Sequence, residues 1–272
     1  MILNSAILVA AALLLGSSAI ALAHDTWFLP ASHRVKVGQS VRLSLTSGMF
    51  FPADDFAIEP ARVRRADVRL SHSTTALASG SPATQALRYT WTPRAEGVAT
   101  LAAELRPKVL TLKPELVPEY FDEINADSAL RNGWTRARLK QWRESYTKYA
   151  KAFVRVGAPL RDSSWAQPMG LTLELVPQRD PTALQAGDTL VVLVLRNGTP
   201  VPNFSVGAIG SGETVAHFAR TDFEGRAHVP FPRAGPWLLN GTLLRRSARS
   251  GLEWESDFTT LTLAVAARTT PR

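Results

Sequence analysis

The chain of 272 residues has no cysteine. That excludes disulfides, a thioether-linked lipid anchor and thiolate ligands, so any bound metal must be held by nitrogen and oxygen donors. Histidine is scarce, with five in all. There is no G-x-S-x-G, no H-E-x-x-H and no P-loop, so the serine-hydrolase, zinc-protease and nucleotide-binding signatures are missing. Ser211, between Gly210 and Gly212, reads as a turn residue rather than a nucleophile. The chain is read as a non-enzyme. After residue 23 no apolar run is long enough to span a bilayer. Lys and Arg outnumber Asp and Glu by 31 to 23, a net charge of +8. The basic clusters are short (Arg62, Arg64, Arg65; Arg245, Arg246, Arg249) and read as solvated strand edges or loops, so no nucleic-acid partner is expected.

Residues 1–23 carry no charged side chain. An aliphatic stretch from Ala6 to Leu15 leads through Gly16-Ser17-Ser18 to Ala21-Leu22-Ala23, a secretory h-region followed by an A-x-A cleavage site. Cleavage after Ala23 would make His24 the first residue of a periplasmic protein. Two other readings stand beside this one. Ala19-Ile20-Ala21 also fits the cleavage pattern and would leave Leu22 first, and Ile2 to Ala23 is just long enough for an uncleaved anchor.

Beyond the leader most of the chain reads as strands. Val41 to Leu45, Leu171 to Leu175 and Leu261 to Val265 alternate apolar and polar residues. Val191 to Leu195 is a continuous apolar run, expected as a strand buried on both faces. Gly38, Gly187 and Asn197-Gly198 punctuate between runs. From about 115 to 150 the spacing turns helical. A short helix is expected over Val117 to Ile124, and Leu139, Trp142, Tyr146 and Tyr149 fall on one face of another. Ser71 to Ala86, rich in small and polar residues, reads as a mobile loop. The composition shift over 157–168 marks a linker. The expected fold is mainly β: two antiparallel β-sandwich domains, immunoglobulin-like or prealbumin-like. The first covers 24–160 with a small helical insertion, the second 168–268. Thr221-Asp222-Phe223-Glu224-Gly225-Arg226 is a tight-turn signature within the second.

An N-terminal histidine carries a free amine and an imidazole on one residue. They titrate near pH 8 and near 6.5, roughly, so a metal displaces their protons cheaply. His24 and Asp25 are the candidate metal ligands. A third ligand is open among His33, His72, His217 and His228, with no spacing to select one. Asp54-Asp55, after Phe50-Phe51-Pro52, is a candidate oxygen donor if its loop approaches the N-terminus. The ions suited to such donors are divalent transition metals, Ni, Co or Cu.

Several landmarks in order resemble a bacterial periplasmic family that is formally a domain of unknown function and is widely described as a nickel or cobalt uptake component. They are Ala23-His24-Asp25-Thr26-Trp27 with Pro30, Tyr146 to Lys151, Gly170 to Pro177, Gly187-Asp188, Arg220-Thr221-Asp222 with Gly225-Arg226, Gly235 with Trp237-Leu238, and Trp254-Glu255-Ser256. The resemblance implies an exported protein of β-sandwich domains that serves transition-metal uptake or delivery and partners a membrane importer or another envelope protein. It carries only His24 and Asp25 over as ligands. Many members have a histidine in the strand after the Trp-Leu pair, and Asn240 to Arg246 contains none. Two other classes remain open: a non-catalytic interaction module of the cell envelope binding a protein or glycan, and a copper enzyme built on an N-terminal histidine.

Overall fold

The computed structural model describes residues 24–137, 139–158, 162–214 and 216–269. The leader and both of its candidate cleavage points lie outside the described residues, as do residues 159–161 of the linker.

A ten-stranded sheet forms the middle of the protein. Its strands run in the order His217–Arg220, Ser205–Gly210, Gly235–Arg246, Trp254–Val265, Trp142–Val156, Gly97–Leu105, Val63–Leu70 and Ser73–Ala76. Lys108–Leu112 and Arg34–Val35 pair with the ends of Trp142–Val156. Two smaller sheets cover the central one from opposite sides. Asp25–Pro30, Val41–Gly48 and Leu87–Trp91 are the main strands of the first. Leu173–Pro177, Asp188–Arg196 and Arg226–Phe231 are those of the second.

The layering follows from side-chain alternation, because neighbouring residues of a strand point to opposite faces. Ala150, Ala152, Val154 and Val156 share a core with Phe28, Leu43, Leu45 and Leu87 of the first outer sheet. Tyr149 and Phe153, on the same strand, share a core with Leu173, Leu190 and Val192 of the second. Both interfaces are lined by residues that are almost fully buried. At roughly 1.5–3 kcal/mol for each buried aliphatic or aromatic side chain, they are the main source of stability.

The expected class, mainly β and built of antiparallel sandwiches, is what the chain forms. The two halves also share a sheet, which the sequence did not suggest. Glu144 to Ala152 pairs in parallel with Trp254 to Thr262 over nine residue pairs. The central sheet therefore runs without a break from one half to the other.

Three local expectations are corrected. Helix ends at Ala137, after Val117–Glu123 and Ser128–Ala137, and Trp142–Val156 is a strand of 15 residues. Four of its five charged residues, Glu144, Lys148, Lys151 and Arg155, are buried and partnered, and only Arg143 is exposed. Lys151 meets Glu174 at 2.7 Å and Arg155 meets Asp180 at 3.1 Å. Glu144 accepts hydrogen bonds from Tyr120 Oη at 2.9 Å and Trp142 Nε1 at 2.7 Å. A strand covered on both faces has no polar period left to show. Second, Ser71 to Ala86 contains strands. Ser73–Ala76 folds back on Val63–Leu70 through a turn in which Ser71 adopts φ 54°. Third, Asp188–Arg196 buries Leu190, Val192 and Val194 fully but leaves Val191 and Leu193 half-buried, so the apolar run is one-sided over much of its length.

Candidate functional site

The strand Asp25–Pro30 pairs with Val41–Gly48, Asp25 opposite Gly48, and lies across the central strands Trp142–Val156 and Trp254–Val265. Thr260 Oγ1 donates to the Thr26 carbonyl at 2.6 Å. Lys148 Nζ donates to the His24 carbonyl. These bonds fix the start of the strand against the central sheet.

Three further groups converge on His24 and Asp25. Asn240 Nδ2, from the neighbouring central strand, donates to Asp25 Oδ2 at 2.6 Å, while Asn240 Oδ1 is buried without a partner. Gly207 lies opposite Asn240, and a Cβ there would land on the Asn240 side chain, so the glycine leaves room for this contact. Phe56 stacks on the His24 ring, centroids 5.1 Å apart and planes 10° from parallel. Asp55 folds over Gly48, with its Cβ 2.8 Å from where a Gly48 side chain would begin. Its charge acts on His24.

The electrostatics follow from this crowding. Burial and the nearby Lys148 ammonium lower the His24 imidazole, against the pull of Asp55. Burial raises the Asp25 carboxyl to about 6, against the Asn240 hydrogen bond and Lys148. Burial lowers the Lys148 ammonium to about 8, with Arg62 and Lys108 adding to the effect and Asp25 opposing it. The imidazole is therefore favoured in its neutral, ligand-competent form, and one cation and one carboxyl sit beside it.

The other expected ligands are not brought here. His33 Nδ1 donates to the Phe153 carbonyl at 2.9 Å. That carbonyl is five residues along the strand from Lys148, about 17 Å at strand rise. His72 is exposed in the turn after Val63–Leu70. His217 lies on the edge strand opposite Ala208, whose side chain faces the second outer sheet, away from His24. His228 is exposed on Arg226–Phe231. Asp54 is engaged with Arg88 at 2.7 Å, and of that pair only Asp55 approaches. Among the described residues no three His, Asp or Glu side chains gather as a metal would require. Of the carboxylates only Asp55 acts on the imidazole, so a borderline transition metal would need the His24 α-nitrogen as a further donor.

Sequence reasoning missed Lys148, Asn240 and Phe56. Lys148 lies within Tyr146 to Lys151, one of the segments that carried the family resemblance, and Asn240 follows the Trp237-Leu238 pair. The strand in which the resembled family often carries a histidine does reach Asp25, and Asn240 is what it presents there.

The protein is thus a three-layer β-sandwich whose first strand is held over the central sheet with a histidine, a carboxylate and a buried lysine at its start. It belongs to the family described as Domain of unknown function (DUF4198), matched over residues 21–243. No curated protein matches the chain. Among solved structures, the D0-D1 domain of intimin is 12% identical with a TM-score of 0.23, over 88% of this chain and 97% of that one. The Yersinia pseudotuberculosis adhesin InvE is 10% identical with a TM-score of 0.24, over 88% and 58%. Escherichia coli alpha-2-macroglobulin activated by porcine elastase is 12% identical with a TM-score of 0.26, over 90% and 20%. TM-scores this low carry no argument about function.

Proposed function

We propose that this is an exported, non-catalytic protein that binds a divalent transition metal ion (nickel, cobalt or copper) at a mature N-terminal His24, for uptake by or delivery to an envelope partner. The observation that carries the reading is the fixing of His24: its carbonyl is held by Lys148 and its ring is stacked on Phe56. In a chain that begins at His24, the amine and the ring nitrogen would leave that anchor as a chelating pair. Asp25 and Asp55 would stand close by as oxygen donors or as acceptors orienting the ligands. Because side chains alone do not complete a metal site, the proposal depends on the free amine.

Calorimetry with Ni and Cu on three forms tests it: a chain beginning at His24, the same chain with His24→Ala, and the same chain extended by one residue. Binding at micromolar or tighter, about −8 kcal/mol or better, is expected for the first form and a loss of at least about tenfold for the other two. Equal binding by all three, or none tighter than about millimolar, ends the metal reading.

A second reading has an observation of its own. Met49, Phe50 and Phe56 are 60%, 58% and 48% exposed, close in sequence on the loop that reaches His24. Exposed apolar side chains of this kind suit a docking surface for another envelope protein. If metal binding fails, the interaction module becomes the leading function.

A further inference from the structure

A second site adjoins His24 and does not depend on metal. A cleft of about 150 Å³ opens beside Lys148, lined by Arg62, Lys108, Tyr146, Ser47 and Glu59 among others. The register builds its basic wall. Lys108 opens the strand Lys108–Leu112 directly opposite Tyr146, and Lys148 follows Tyr146 by two residues, so all three side chains rise from one face of the sheet. Arg62 arrives separately, at the end of the short 3-10 turn Pro60–Arg62, and its guanidinium lies over the Tyr146 ring at 5.7 Å. Lys148 is held over the same ring at 5.6 Å.

Three cations thus converge on one small concavity. Every ion pair among the described residues uses some other cation. The Arg62 side chain bonds the Tyr146 hydroxyl, but its Nη1 is buried and has no hydrogen-bond partner. An unpaired buried donor on a charged group is costly, and the fork of a guanidinium matches the oxygens of carboxylate or phosphate. Lys148 spends one of its three donors on the His24 carbonyl and keeps two. Ser47 Oγ, 2.5 Å from Thr26 Oγ1, adds a hydroxyl at the wall. The opposing charges are Glu59, exposed among the lining residues, and Asp25 on the far side of Lys148. One lining carboxylate against three cations leaves the cleft net positive.

We propose that the cleft between Arg62, Lys108 and Lys148 binds a small oxyanion carrying more than one negative charge, of the chemistry shared by phosphate and polycarboxylates. The guanidinium supplies a planar fork, the two ammonium groups supply compact charge, and the Tyr146 face between them holds the cations in place.

The test uses protein stripped of metal, dialysed free of chelator and held at constant ionic strength near neutral pH. It is titrated calorimetrically with inorganic phosphate and, separately, with citrate. One anion per chain is expected to bind saturably. Arg62→Gln and Lys108→Gln should each weaken it about tenfold or more, since each removes a charge-assisted hydrogen bond or a close charge. Lys36→Gln, an exposed cation elsewhere, should leave it unchanged. Lys148 is left intact because it also anchors His24. Binding of phosphate alone or of citrate alone supports the site and names the source. Lys108→Gln alters only an exposed side chain, so a folding defect in Arg62→Gln would leave the test standing. The proposal is overturned if neither anion binds below about 10 mM, or if Lys36→Gln weakens binding as much as Lys108→Gln does.

Discussion

The pair Lys151 and Glu174 ties the central sheet to the second outer sheet, and cutting it should be expensive. Both side chains are essentially out of water, at 0% and 1% exposure, and they meet at 2.7 Å. Lys151 Nζ also donates to the Leu175 carbonyl at 2.9 Å. Glu174 accepts from the Met169, Gly170 and Leu171 amides at 2.6, 3.0 and 3.1 Å. Removing one member of such a pair leaves a buried charge uncompensated and costs about 3–5 kcal/mol. That is a large part of the 5–15 kcal/mol a domain usually has. Lys151→Met and Glu174→Gln keep length and shape, so each should lose that amount in urea denaturation followed by tryptophan fluorescence, with the midpoint lowered and the slope unchanged. The double variant should lose less than the sum, because no charge remains buried and the glutamine oxygen still serves part of the amide cluster.

The pH dependence sharpens this prediction. Burial alone would raise the Glu174 carboxyl, but the Lys151 charge and the Met169 and Leu171 amides outweigh it and hold it below its usual 4.5. A depressed carboxyl adds stability above the unfolded value, and that stability is lost as pH falls through the folded value. In Lys151→Met the main opposing charge is gone and burial pushes the carboxyl upward, so acid relieves that variant. The gap between wild type and Lys151→Met should narrow as pH drops from 7 towards 4. A single-variant loss under about 1 kcal/mol, or additivity in the double, would refute the claim that this pair holds the two layers together.

Two further outcomes follow from the packing. Gly207→Ala should cost about 1–3 kcal/mol in a thermal melt, because its methyl would take the place of the Asn240 side chain and also lie 3.0 Å from Phe218. Adding Asn240→Ala to that variant should cost little more, and full additivity would show that the two do not share the space. A protease site inserted between Gly157 and Asp162 and then cut should leave one particle on size-exclusion chromatography without denaturant, since the strands on either side remain paired from Glu144 to Ala152 with Trp254 to Thr262; two separate fragments would refute this.

Much of the fold was legible wherever apolar and polar residues alternate along a strand. Val41 to Leu45 and Leu261 to Val265 alternate and form strands. The turn at Thr221 to Arg226 was readable because its chemistry is local: Asp222 Oδ1 accepts from the Glu224 and Arg226 amides, both at 2.9 Å, and Gly225 takes φ 79°. Trp142–Val156 was not legible because it lies between two layers, and buried ion pairs there imitate a polar helix face. The site was half legible for a related reason. His24 and Asp25 are adjacent in sequence, whereas Asp54-Asp55 was a candidate donor only if its loop approached the N-terminus, and Asp55 alone of the two does so. Lys148 and Asn240 reach the same spot from 124 and 215 residues away, through sheet register that no local pattern encodes.

The parallel junction also sets an order on assembly. Lys148 stands beside Phe258 in the central sheet, so 110 residues (258 − 148) separate neighbours in the middle of the fold. Closing so long a loop is slow, and contacts of this range delay folding. Until Trp254–Val265 arrives, the edge of Trp142–Val156 that it will occupy offers unpaired amides and carbonyls to any passing strand. A chain that crosses a membrane unfolded, amino end first, would meet this hazard for as long as its last strand is still in transit. Its first half would then depend on a holding chaperone or on rapid translocation to stay free of aggregates.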